Sequence, residues 1–156
     1  MKIIAIIIIL VISVSCTRNN VSANYTHEIE CTGSELDGSI TLKSWGKGKN
    51  RTDALEQARK NAVNYVLFKG INNGKADCFT IPILNVPNIR ENKADYFNSF
   101  FKDGGKYLTF ISNQDESFVK KERQKGRDGE VMFGFIIRVL RNELKKQMIK
   151  DGILNN

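Results

Sequence analysis

Three cysteines, Cys16, Cys31 and Cys78, and one histidine, His27, hold most of the nucleophilic and metal-ligating capacity of this sequence. Cysteine attacks carbonyls or binds soft metals as the thiolate, and histidine moves protons near neutral pH. A structural zinc site needs about four Cys, His or carboxylate ligands at close spacing. Nothing here is spaced that way. His27 falls in a polar stretch near the start of the chain, where a lone histidine is ordinarily a solvated side chain. No Ser–His–Asp or Cys–His arrangement can be assembled around it. The residue inventory therefore points away from an enzyme, with no catalytic residues, no metal and no cofactor expected.

Two other groups invite a chemical reading. Gly46-Lys47-Gly48-Lys49 precedes a helix and can seat an anion on free backbone N–H groups. It lacks the glycine spacing of a phosphate or dinucleotide loop, so the simpler reading is a tight turn with exposed lysines. Lys120, Lys121, Arg123, Lys125 and Arg127 form the densest basic cluster. Such a cluster can track nucleic-acid phosphates, contact anionic lipid headgroups, or meet an acidic partner. It can also be a solvated hairpin edge whose lysines deter strand addition.

The N-terminus decides among these. Met1-Lys2 leads into an unbroken apolar run from Ile3 to Ile12, then Ser13-Val14-Ser15-Cys16. A basic start, an apolar core and small residues before a cut site form a secretory signal. The run is too short to span a bilayer, which takes about 20 apolar residues. Ser15-Cys16 resembles a bacterial lipobox, in which the cysteine opens the mature chain and carries lipid. Ser13 departs from the usual leucine. An ordinary cleaved signal followed by an unrelated cysteine is the alternative. The domain plan is a lipoprotein signal peptide over 1–15, a lipid-anchored polar tether over 16–30, and one folded domain over 31–154. The stretch after Cys16 has neither the aspartate of inner-membrane retention nor an acidic surface-export run. The expected location is the outer membrane, facing the periplasm. Nucleic acid is then an unfitting partner for the basic cluster.

Removing Lys2 with the signal takes Lys plus Arg from 24 to 23 against 17 acidic residues, a net charge of +6 in place of +7. In an oxidising compartment Cys31 and Cys78 either form a disulfide or remain as two thiols.

The elements follow from periodicity. Residues 39–45 alternate apolar and polar as a strand, which 46–50 end. A helix starts near Thr52, capped by Thr52 or Asn50, with Ala54, Ala58 and Ala62 four apart and Gly70 as its stop. Three alanines in that register let a helix backbone lie close to a sheet. The prolines at 82 and 87 make 79–87 extended. Residues 91–102 read as a short helix bearing Tyr96, Phe97, Phe100 and Phe101. Strands are expected over 107–112, 117–124 and 130–140, with a hairpin at 126–129. A helix over 141–149 closes the chain. The fold class is α+β: an antiparallel sheet of about four strands with two or three helices packed on one face. The aromatics of 79–86 and 96–101 either fill the core or, at Tyr96, Phe100 and part of Phe97, face a partner.

Residues 38–48 leading into 53–63, and later 134–144, resemble small bacterial envelope proteins of the flagellar T-protein N-domain type. In those, a strand ending in Gly-x-Gly feeds an Ala-rich helix, and a later hairpin strand enters a closing helix. The pattern also resembles the accessory lipoprotein of Bacteroidota type VI secretion systems. The resemblance implies a non-enzymatic accessory subunit of an envelope-spanning machine. Its partners would be the membrane, through the N-terminal lipid, and the protein subunits of the assembly. The alternative is a small-ligand or glycan-binding envelope lipoprotein, with Tyr96 and Phe97 lining its pocket.

Overall fold

The computed structural model describes residues 29–125 and 131–155. One antiparallel sheet of four strands organises the chain: β1 (Glu30–Ser34), β2 (Ile40–Gly48), β3 (Ile111–Lys125) and β4 (Val131–Val139), in the order β1-β2-β4-β3. Four helices join it: α1 (Arg51–Asn64), α2 (Ile89–Asn92), α3 (Ala94–Phe100) and α4 (Arg141–Lys150). The α+β class follows directly from this arrangement. The segment expected as one middle helix is split into α2 and α3 at Lys93, whose φ of −120° and ψ of 35° are not helical.

Alternation explains the sheet's buried face. Ile40, Leu42, Ser44, Gly46 and Gly48 of β2 lie beside Val131, Phe133, Phe135, Ile137 and Val139 of β4, all buried. β4 is an inner strand, as apolar residues on both of its faces require. α1 lies on β2 and β4. Asn50 caps it, its side-chain oxygen accepting from Asp53 N at 2.9 Å. Ala54, Ala58 and Ala62 are each 0 % exposed.

The glycines expected to end β2 do not form a turn. Gly46 and Gly48 continue the strand, paired with Phe133 and Val131. A Cβ on Gly46 would fall 1.7 Å from Ala54 O and 2.6 Å from Ala58 N. The glycines remove side chains where α1 rests on the strand. With these backbone groups inside the sheet, the anion-seating loop read from the sequence does not exist.

At its C-terminal end α1 widens into a π-helical turn over Tyr65–Lys69, closed by Gly70 N donating to Tyr65 O at 2.8 Å. The terminal carbonyls of a helix need outside donors. Ile83 N and Leu84 N supply two, to Val66 O at 3.1 Å and Leu67 O at 2.8 Å. Thr80 and Ile71 exchange both backbone bonds, at 3.0 and 2.8 Å. The extended segment is thereby fastened along its length.

Three further expectations change. Ile29 is 3 % exposed and Glu30 opens β1, so residues 29 and 30, expected in the tether, belong to the folded domain. Residues 107–110 belong to a 3₁₀ turn (Lys106–Phe110), because Tyr107 and Phe110, three apart, both turn inward. β3 is one long strand, with pairing irregularities between Ser112 and Ser117 and between Val119 and Gln124. The expected hairpin at 126–129 lies outside the described residues.

Candidate functional site

The first candidate is a polar cleft of about 470 Å³ at the start of α1. Lys47 comes from β2, Asp53, Glu56, Gln57 and Lys60 from successive turns of α1, and Asp103 and Gly104 from the loop after α3. Helical spacing puts Asp53, Glu56 and Lys60 on one side. Lys60 is a buried cation, 8 % exposed, and its ammonium donates to Asp103. The Tyr107 hydroxyl donates to Glu56, which also accepts from Gly104 N at 3.3 Å. Burial, and then the Glu56 carboxylate beside it, push the Tyr107 hydroxyl above its ordinary range, so it stays a neutral donor. Lys60 and Glu56 thus each have a partner within the chain. The cleft offers a lattice of charges to a polar ligand, not a free nucleophile or base. Among the described residues no three His, Cys, Asp or Glu side chains converge as metal ligands.

The second candidate is apolar and lies elsewhere. Four large apolar side chains stand exposed among the described residues: Leu36 at 110 %, Ile81 at 74 %, Phe79 at 56 % and Val86 at 50 %. Three of them belong to the extended segment after Cys78. That segment is held by the backbone bonds given above and, at its root, by a disulfide. Cys31 of β1 and Cys78 of the 3₁₀ turn Ala76–Cys78 are joined, with Cα atoms 6.0 Å apart. Both cysteines are buried. Cys31 N donates to Asn73 O at 2.9 Å and Lys75 N to Cys31 O at 3.1 Å, so this stretch also covers the outer side of β1.

The expected site residues scatter. Phe97 is 2 % exposed and packs edge-on against Phe68 and Tyr96, at 4.9 and 5.1 Å between ring centroids. It is core, not a partner contact, because the middle helices must bury their aromatics against the end of α1. Tyr96 is half-buried, and its hydroxyl donates to Asp151 at 2.6 Å. Neither of the two lines the polar cleft. Lys120, Lys121, Arg123 and Lys125 fall on β3, an edge strand. Cys16, His27 and Arg127 lie outside the described residues. Sequence reasoning missed the exposure of Phe79 and Ile81. Their spacing of two, with Thr80 between and Pro82 following, is the one signal that marked them as outward-facing on an extended segment.

No family model, curated protein or solved structure matches this chain.

Proposed function

We propose that this chain is a non-enzymatic lipoprotein, anchored to the outer membrane through Cys16 and facing the periplasm. In this reading its folded domain docks onto protein subunits of an envelope-spanning machine. A type VI secretion system is the instance that the strand–helix resemblance suggests. One observation carries the docking reading: a fastened, extended segment presents Phe79, Ile81 and Val86 to solvent. Exposed apolar side chains on a rigid backbone lose little entropy on binding and mark interaction surfaces. The Cys31–Cys78 disulfide supports an oxidising compartment, the one a lipobox addresses.

Labelling with an alkyne fatty acid in a lipoprotein-processing bacterium tests the anchor. The chain should take up label, and Cys16→Ser should not. An unlabelled wild-type chain in the soluble periplasmic fraction would overturn it.

The second reading, a small-ligand envelope protein, is favoured by the 470 Å³ cleft and not by the aromatics. Its charged lining suits a zwitterionic or polyhydroxylated ligand. A rise in thermal midpoint with such a ligand, lost in Lys60→Met, would select it.

A further inference from the structure

The two buried side-chain polar atoms without a hydrogen-bond partner, among the described residues, are Thr80 Oγ1 and Arg141 Nε. Buried polar groups are nearly always satisfied, so two orphans on adjoining segments call for an explanation. Their segments adjoin. Thr80 precedes Ile81, and Arg141 donates from its NH2 group to Ile81 O at 3.3 Å. The next residue, Asn142, donates from its side chain to Asp37 O at 2.9 Å. The start of α4 therefore ties the 79–82 segment on one side to the β1–β2 turn on the other. That turn carries Leu36. Leu36 adjoins Asp37 and Phe79 lies two residues before Ile81, so three of the four exposed large apolar residues lie on the segments that the start of α4 ties together.

The charge pattern around them is uneven. Arg138, three residues earlier, has Asp37 at 3.2 Å. Arg141 is half-buried and, among the described residues, has only the Ile81 carbonyl. Burial without a carboxylate also holds its guanidinium below the ordinary arginine range. A half-buried cation that lacks a counter-ion among the described residues, tied to a segment with exposed apolar side chains, is half of a complementary pair.

We propose that this end of the domain, Leu36, Phe79, Ile81 and Arg141, is a docking surface for a segment of a partner protein. That segment presents apolar side chains and one carboxylate, and the carboxylate meets Arg141. The proposal deepens the docking reading and rests on it for the existence of a protein partner. A flat anionic lipid surface fits less well. It would press on exposed Glu35 and Asp77, which adjoin Leu36 and the Cys78–Phe79 step. A peptide can place one carboxylate on Arg141 and pass clear of both.

The test selects random twelve-residue peptides, displayed on phage, against the full chain in detergent with its disulfide closed. Each selected sequence is then synthesised in two forms, with its acidic residue and with the matching amide. The expected peptides combine apolar residues with one Asp or Glu. Ile81→Asp should weaken them about tenfold or more, as a charge placed in an apolar contact does. Arg141→Gln should weaken the carboxylate form about tenfold and the amide form less than twofold. Selected peptides indifferent to Ile81→Asp, an absence of selected peptides, or equal losses for both forms would overturn the proposal. So would sedimentation with phosphatidylethanolamine–phosphatidylglycerol vesicles that falls in Ile81→Asp, which would give the surface to lipid. Ile81 is solvent-exposed, so that variant keeps the fold; Arg141→Met, which also removes the charge and keeps an unbranched apolar stem, replaces Arg141→Gln if the latter unfolds by circular dichroism. Failed labelling at Cys16 would refute the anchor and leave peptide binding intact. Failed peptide binding would refute this surface and leave the labelling intact.

Discussion

Gly46→Ala tests how α1 is seated. The added Cβ would stand 1.7 Å from Ala54 O, where ordinary contact begins at 3.4 Å. Backbone faces backbone on both sides, so no rotamer change relieves the overlap. The helix and strand must separate by about half of that ordinary distance at this point, enough to disturb dense packing well beyond one residue. Ala58 and Ala62, both 0 % exposed, would lose their fit against the sheet together with Ala54. Overpacking of this kind costs about 1–3 kcal/mol, and the absence of a flexible neighbour places it near the upper end. For a domain of this size about 3 kcal/mol lowers the thermal midpoint by roughly 10 °C. Urea denaturation of the oxidised chain, followed by far-UV circular dichroism, measures it. Gly33→Ala is the control, since a Cβ there meets nothing within 4 Å. It should stay within about 0.5 kcal/mol of wild type. A Gly46→Ala variant as stable as the Gly33→Ala control would refute the account of how helix and sheet approach each other.

Three further outcomes are expected. Replacing Cys31 and Cys78 together by serine opens a link of sequence separation 47 and should lower stability by roughly 3–4 kcal/mol in the chain-entropy account. A denaturation curve unmoved by the double replacement would mean that the disulfide does not form in the folded protein. Tyr107→Phe leaves Glu56 without its phenol donor and should cost about 1–2 kcal/mol, as does removal of a buried hydrogen bond to a carboxylate; unchanged urea midpoints would argue against that bond. The hydrogen bond from Tyr96, followed by those from Gln147 and Lys106, holds the Asp151 carboxyl below its ordinary value. Its folded pKa thus lies below the unfolded one, so its contribution is complete above the unfolded value near 3.8 and fades as pH falls through the folded pKa. Stability measured against pH should therefore lose part of its acid limb in Asp151→Asn, and an identical limb in both chains would contradict this.

Much of the scaffold can be read from local pattern. The four-residue spacing of Ala54, Ala58 and Ala62 places α1 and its buried side. The alternation from Val131 to Val139 marks an inner strand, because both faces are apolar. Gly70 and Gly152 mark helix ends, each with positive φ. What stayed hidden depends on distant partners. β1 is five residues with little alternation, and it exists through pairing with β2 and the bond from Cys31 N to Asn73 O. Gly46 and Gly48 read as punctuation, since a glycine needed for close approach looks the same in sequence as one needed for a turn. The candidate surface was the least legible part. Phe97 and Phe79 are the same residue type in neighbouring segments, and only tertiary packing sends one inward and leaves the other in solvent.

The central claim is that a lipid-anchored domain docks through its apolar end onto a protein assembly. Native electrophoresis of detergent-solubilised envelopes tests it most directly, following the epitope-tagged chain at its natural abundance. Wild type should migrate in a complex far larger than the 17.7 kDa of the unprocessed chain. Cys16→Ser should lose the complex together with membrane attachment, and Ile81→Asp should lose it while remaining in the membrane. A wild-type chain that migrates alone, or an Ile81→Asp chain that stays fully assembled, would contradict the account.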